Sequence, residues 1–385
     1  MNKNLASSLS PEIAFYLPNL EGGGAERAIV AVANRLAERG IRIELVVGNA
    51  VGPYLAEIMP AVSVVEIGAS SKLGSVVCLM KYLRNRKPPS IMSALDLANL
   101  QLIAAAKLAG FGGRLFISQR ATIGPAYDDV SPLHRQAYLT AIRYAYPLAD
   151  MIISNSRAAA AELHENFGIA GDRIITIQNQ IDSDRVTRLS NEPLDDSWLA
   201  GGTAITIIAV GSLTPRKDMS TLIRALAVVR QARDIRLVIL GEGQERTLLE
   251  ALAARLGIQE AVYLPGFDAN PYRWMKQADM LVSTSRAEGF PNVIAEALAL
   301  GMKVVATDCP GDTADILEYG RWGRLVPVGD VAALATAILE SPDDTSPPDG
   351  RKRVADFAPG KTIDAHLQAL MPQTGGAQTR PGGAN

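Results

Sequence analysis

The sequence predicts an α/β protein made of two doubly wound domains with parallel sheets, arranged in tandem. Three observations carry that prediction. At 385 residues with 48% hydrophobic and 20% charged, the chain is too long for one ordinary core and apolar enough to bury two. From residue 12 onward, short β-rich runs alternate with longer segments of helical period. The stretch SNEPLDDSWLAGG, 190–202, then breaks the rhythm with turn and polar residues before a second series opens.

In the first series IAFYLP reads as a strand. GAERAIVAVANRLAERG follows as a helix, with Ala25, Ile29, Val32, Ala33 and Leu36 on one face. IRIELVV, VSVVEI, SIMSAL, RLFIS and DMIIS are further strands, with helices expected near 73–87, 98–110 and 131–147. The second series supplies strands in AITIIAVGSL, IRLVIL, AVYLPG, DMLVST and MKVVAT, with helices expected near 218–232, 244–256, 291–300 and 330–340. Runs this continuously apolar suit parallel strands covered on both faces. The expected domains are therefore 1–195 and 196–370, and 371–385, rich in Gly, Gln and Thr, reads as a disordered tail.

Bulk charge narrows the function. Lys and Arg number 38 against 40 Asp and Glu, and aromatic residues make up 5%, so neither a basic field nor a stacking platform argues for nucleic acid. Residues 1–190 are mildly basic, with 19 basic and 16 acidic groups. Within them KYLRNRK, 81–87, could touch an anionic membrane surface or simply form a solvated helix end. Cys78 and Cys309 stand far apart in apolar segments and read as packing residues of a reducing compartment. His134, His164 and His366 form no metal-binding motif, so no metal is expected. No stretch reads as a secretory signal or a membrane span, which leaves a cytoplasmic protein whose membrane attachment could only be peripheral.

In open parallel sheets ligands bind outside the carboxyl ends of strands, so the loops after strands are where chemistry is sought. LEGGGAER carries Gly22, Gly23 and Gly24 straight into a helix, which would admit an anion to the helix amino terminus. GSLTPRKD places Arg216 and Lys217 after the first strand of the second series. In SRAEGFPNVIAEALALG, Pro291 fits the first helical position, leaving the amides of Gly289, Phe290, Asn292 and Val293 as donors. Glu288 then lies in the preceding loop and Glu296 about a turn and a half inside the helix. Two carboxylates at different levels suit a ligand with an anionic centre flanked by hydroxyls better than they suit a hydrolase, whose pair must stand about 5–9.5 Å apart.

Taken in order, PNLEGGGAER, VGSLTPRKD, ILGEGQERTLLEALAARLGI, LPGFDANPY, EGFPNVIAE, VVATDCPG and GRLVPVGD resemble the retaining glycosyltransferases of family 4, over residues 12–370. That resemblance implies the GT-B fold, two facing Rossmann-like domains, and a nucleoside diphosphate sugar, UDP- or GDP-linked, as substrate with no cofactor. It implies that Lys217 meets the diphosphate with Arg216 beside it, that Glu288 faces the donor sugar, and that Glu296 binds the ribose. Gly23, Gly24, Gly211, Ser212, Phe290, Asn292 and Val293 would lie along the donor, and Leu264 and Gly266 near the base. Asp96, Asn99, Arg120 and Thr122 are the acceptor-side candidates, the acceptor being a glycan or lipid-linked glycan of bacterial surface polysaccharide or glycolipid biosynthesis.

Two departures stand out. Ser212 occupies the position where the family commonly has Arg, and ISQRATIGP lacks the His that many members place in that loop. They keep a catalytically silent nucleotide-sugar-binding protein open beside the transferase, and a sugar-nucleotide 2-epimerase of the same fold is the third reading.

Overall fold

A computed structural model describes residues 10–371, apart from 22, 69–70, 127–130, 197, 200–203 and 344–348. Gly22 and most of the expected tail therefore lie outside the described residues. Among the described residues thirteen strands form two parallel sheets.

The first sheet has the order β3-β2-β1-β4-β5-β6-β7, from β1 (Ile13–Leu17), β2 (Ile43–Val47), β3 (Val62–Glu66), β4 (Ser90–Ala94), β5 (Arg114–Gln119), β6 (Met151–Ser154) and β7 (Ile174–Thr176). Register runs residue for residue where β1 lies beside β2, Ile13 opposite Ile43 through Leu17 opposite Val47. Helices at Gly24–Glu38, Lys72–Arg86 and Asp96–Ala109 connect the strands, close to where apolar periodicity puts them.

The second sheet, β10-β9-β8-β11-β12-β13, contains β8 (Ile205–Val210), β9 (Ile235–Leu240), β10 (Val262–Gly266), β11 (Met280–Ser283), β12 (Lys303–Thr307) and β13 (Arg324–Val326). It is buried on both faces. Ile207 and Ala209 pack with the helices Met219–Val229 and Val331–Glu340, while Ile208 faces the opposite cluster with Ile294, Ala295 and Leu298 of the helix Asn292–Ala299. A two-sided core is why these strands read as continuous apolar runs rather than alternating ones.

Two short strands, β7 and β13, and the helix Arg157–Glu165 fall outside the sequence expectation. Three-residue strands are too short to show a period, and the helix is rich in alanine.

Contacts divide the chain into two compact units: residues 1–118, 145–151 and 363–385, and residues 119–144 with 152–362. The 195/196 boundary thus falls inside the second unit, between the last strand of one sheet and the first of the other. The helix Pro359–Leu370 returns to the first unit, where Arg114 donates to the carbonyls of Ala369 and Met371, and Ser90 donates to that of Leu370.

The grouping of β7 and the helix Arg157–Glu165 with the second sheet has a polar cause. Asp312, in the loop after β12, is 1% exposed and accepts from the amides of Arg157 and Ala158 and from Gln178 Nε2. It thereby caps that helix from a distant part of the chain. Burial pushes its carboxyl above the ordinary range, against the pull of those donors. Arg157 also pairs with Asp315 at 2.9 Å.

Asp312→Ala should strand the amides of Arg157 and Ala158, while Gln178 keeps its bond to Asp315 at 3.1 Å. The expected loss is about 2–3 kcal/mol at pH 7, read as a lower urea midpoint.

Candidate active site

Glycine governs how closely the loops of the second unit approach. Gly241 follows β9 at φ +150, its N–H donates to the Gly266 carbonyl at the end of β10, and a Cβ on it would stand 2.0 Å from the Gly211 carbonyl oxygen. Gly266 itself has φ +102, open to glycine and strained for other residues. The carboxyl ends of β8, β9 and β10 are therefore drawn together, with the half-buried Leu264 on β10 and the exposed Ser212 after β8.

Beyond Gly211 the chain makes a short 3-10 turn, Pro215–Lys217, then passes through Asp218 at φ +46 into the helix Met219–Val229. The Asp218 carboxylate accepts from the Thr221 amide, so the residue that turns the chain also caps the helix. This turn is zipped to the loop after β11. Arg286 N–H donates to the Arg216 carbonyl at 2.8 Å, Thr284 Oγ1 to the Lys217 carbonyl at 3.0 Å, and the Arg286 side chain to Asp218 at 3.1 Å.

The zipper delivers two cations to one carboxylate. Lys217 Nζ pairs with Glu288 Oε1, and Arg216 Nη1 lies 3.3 Å from Oε2 and 3.1 Å from the Ala287 carbonyl. Ser285 Oγ donates to Oε1 at 2.6 Å. Glu288 is 6% exposed. Burial alone would raise its carboxyl, and the adjacent Lys217 and Arg216 more than reverse this, holding it below the usual carboxylate range. The trio keeps one net positive charge. Arg216 reaches this pair from four residues beyond Ser212, so a second cation is present although Ser212 is neutral.

Pro291 is the cap rather than the first helical residue. Its ψ of 87 is not helical, and its carbonyl accepts from the amides of Ile294 and Ala295. The amides of Asn292 and Val293 are accordingly the orphan donors of the helix Asn292–Ala299. Gly289 is corrected from an open donor to a packed one. Its backbone bridges Ala121, and a Cβ there would stand 2.1 Å from the Arg120 carbonyl oxygen. Phe290 is buried, edge-on to Phe357. Glu296 is also buried, accepting from Tyr272 Oη at 2.9 Å.

Arg120 and Thr122 belong to this same unit. Arg120 Nη2 donates to Asn179 Oδ1 at 2.6 Å, and Asn179 Nδ2 donates to Asn292 Oδ1 at 2.8 Å. A three-residue relay thus joins a predicted acceptor-side residue to a predicted donor-side one. Asn179 escaped the sequence reading because the β7 before it is too short to mark its loop. Thr122 is buried, and its hydroxyl has no partner among the described residues.

The remaining candidates lie in the first unit. Gly23 caps the helix Gly24–Glu38 without a side chain, and the Glu26 carboxylate folds back until its Oε2 stands 2.0 Å from where a Gly23 Cβ would be. The helix end is thus already faced by an anion of its own. Asn99 has no exposed surface, and its amide is used by Ser93, the Ser118 carbonyl and Tyr146. We correct it from an acceptor contact to a packing residue. Asp96 is half-buried and lies 3.5 Å from Tyr146 Oη. Among the described residues no cluster of His, Cys, Asp and Glu could hold a metal ion, and no helix is long and apolar enough to cross a membrane.

Comparison with known proteins bears on these loops directly. Residues 22–185 match the model of Glycosyltransferase Family 4, and residues 204–344 that of Glycosyl transferases group 1. The N-acetylgalactosamine-N,N'-diacetylbacillosaminyl-diphospho-undecaprenol 4-alpha-N-acetylgalactosaminyltransferase of Campylobacter jejuni is 36% identical over 49% of this chain and 49% of its own length. The chain thus spans about half of that relative. The lipopolysaccharide core biosynthesis glycosyltransferase LpsE of Rhizobium meliloti is 26% identical over 90% of this chain and 96% of its own. Among solved structures, Anabaena HepE in complex with UDP and glucose superposes with a TM-score of 0.76 at 20% identity, covering 93% of this chain and 98% of that one. The two halves thus match glycosyltransferase models in chain order, and the two parallel Rossmann-like sheets are those of the GT-B fold.

Proposed function

We propose that the chain transfers a sugar from a nucleoside diphosphate sugar to a hydroxyl acceptor, with retention at the anomeric carbon and without a metal ion. The observation that carries this reading is the junction of Lys217 and Arg216 with Glu288, which itself lies just ahead of the orphan amides of Asn292 and Val293 in the chain. In such a transfer, negative charge grows on the departing diphosphate as an oxocarbenium-like centre forms. Fixed cations and helix-end dipoles stabilise that charge without reorganising. A carboxylate kept ionised between two cations is a hydrogen-bond acceptor for sugar hydroxyls rather than a proton donor, and it is not free to attack carbon. Glu296, buried a turn inside the helix and fixed by Tyr272, suits the ribose hydroxyls.

The relatives' names support a bacterial surface glycan or lipid-linked acceptor. UDP, seen with HepE, is the first donor nucleotide to test, and GDP the second. In this reading Arg120 and Thr122 are the acceptor-side residues, and the relay through Asn179, which holds Arg120 beside the helix that would bind the donor, supports that role for Arg120.

Four outcomes are expected. Lys217→Ala should lower kcat/KM at least about a hundredfold under conditions where the variant is folded, consistent with loss of roughly 3 kcal/mol of leaving-group stabilisation, and should also lower the unfolding midpoint because it removes a partner of the buried Glu288. A saturating nucleoside diphosphate should raise the melting temperature of the wild type, since ligand at a hundred times its Kd adds about 2.7 kcal/mol. Binding without turnover across a broad acceptor panel would instead support a silent binder.

Glu296→Ala should raise the donor KM about ten- to a hundredfold, equivalent to one charge-assisted bond of about 1.5–3 kcal/mol, with kcat less affected. Unchanged donor kinetics would remove Glu296 from the site.

Glu288→Gln tests the pairing through pH. A carboxyl held below its unfolded value of about 4.3 contributes stability above that pH and loses it as pH falls through the folded value. The wild type should therefore lose melting temperature on acidification below about pH 4.5, and the variant should lose measurably less over the same interval.

A further inference from the structure

The first unit carries a surface that the transfer chemistry does not use. From residue 67 to 113 the sequence holds six Lys or Arg against one Asp, in a chain whose formal net charge is −2. Most of that charge lies on the helix Lys72–Arg86 and just beyond it, and the helix contains no acidic residue. Its inner side is anchored: Tyr82 Oη donates to the buried Glu44 at 2.7 Å, and Arg86 pairs with the same carboxylate. Arg86 is thereby neutralised, and the orientation of the helix is set.

The outer side is what remains. Leu73, Val77, Lys81 and Arg84 follow one another at helical spacing along a single stripe about 16 Å long. Leu73 is 81% and Val77 45% exposed. At the far end Arg84 donates to the carbonyl of Leu108 at 2.8 Å, which brings in Leu108, 60% exposed, and the exposed Lys107 from the helix Asp96–Ala109. Three large apolar side chains therefore stand in water among cations.

We propose that this stripe docks the protein on a bilayer surface carrying anionic phospholipid. A soluble polyanion would engage the cations but leave Leu73, Val77 and Leu108 in water. A neutral protein partner would bury the leucines but leave the cations uncompensated. An anionic bilayer interface takes both, with apolar tips entering the acyl boundary and cations at the headgroups. The inference rests on the transferase reading for its purpose alone, which is to bring a lipid-linked acceptor within reach.

The test is co-sedimentation of the full chain with vesicles of phosphatidylcholine alone or with 30% phosphatidylglycerol, at roughly 0.1 M salt and with no donor present. Binding is expected only to the anionic vesicles and should fall as salt rises. Lys81→Glu with Lys107→Glu should weaken it at least about tenfold, and Leu73→Ser severalfold. Arg255→Glu, a charge reversal on the helix Arg246–Arg255 of the second unit, should change it little. Equal binding to neutral vesicles, no binding at all, or binding indifferent to these stripe substitutions overturns the proposal. So does Leu73→Ser matching wild type while soluble heparin competes fully. Donor turnover with a water-soluble acceptor, measured on the same variants, should stay unchanged. Its failure in the wild type would count against the transferase reading and not against docking.

Discussion

A buried carboxylate cannot stay ionised without partners, and much of the second unit is arranged to provide them for Glu288. Lys217 and Arg216 come from the loop after β8, Ser285 from the loop after β11. Each partner is held by its own backbone: the Lys217 carbonyl by Thr284, the Arg216 carbonyl by Arg286. Removing Lys217 or Arg216 would leave the buried carboxylate with one cation instead of two, and the backbone bonds that hold both cations lock the two loops together. The same lock presents a net cation immediately ahead of a helix amino terminus.

Glycine sets the distances on which that arrangement depends. The carboxyl ends of β8, β9 and β10 approach so closely that a methyl group on Gly241 would overlap the Gly211 carbonyl. On the other side of the site, Gly289 lets the Arg120 carbonyl come within van der Waals distance of its Cα, and Asn179 bridges Arg120 to Asn292. Close backbone approach and buried amide relays do related work here: they replace long flexible contacts with short fixed ones, which is what preorganised charge stabilisation requires.

The charges of the two compact units serve different ends. In the second unit Lys217 and Arg216 are gathered on one buried carboxylate. In the first, Lys81 and Lys107 are exposed and stand beside the exposed Leu73, Val77 and Leu108. That contrast is invisible in a net charge of −2. It follows from where each helix is anchored: Glu44 turns one side of the helix Lys72–Arg86 inward and leaves the Leu73 to Arg84 stripe outside.

Local pattern was enough to read most of the two parallel sheets, because a strand buried on both faces and a helix buried on one write their periods directly into apolar spacing. The loops carrying Lys217, Glu288 and Glu296 were also legible, since each joins a strand end to a helix start and glycine or proline marks the junction. Other features required the folded chain. That Lys217 and Glu288 neutralise each other, that Asn99 is sealed in the interior while Asn179 links Arg120 to Asn292, and that Asp312 caps a helix far away in sequence all depend on residues separated by six to more than 150 positions. Periodicity records which side of an element is buried. It does not record what polar group waits there, because a hydrogen bond between distant loops leaves no repeat in either segment.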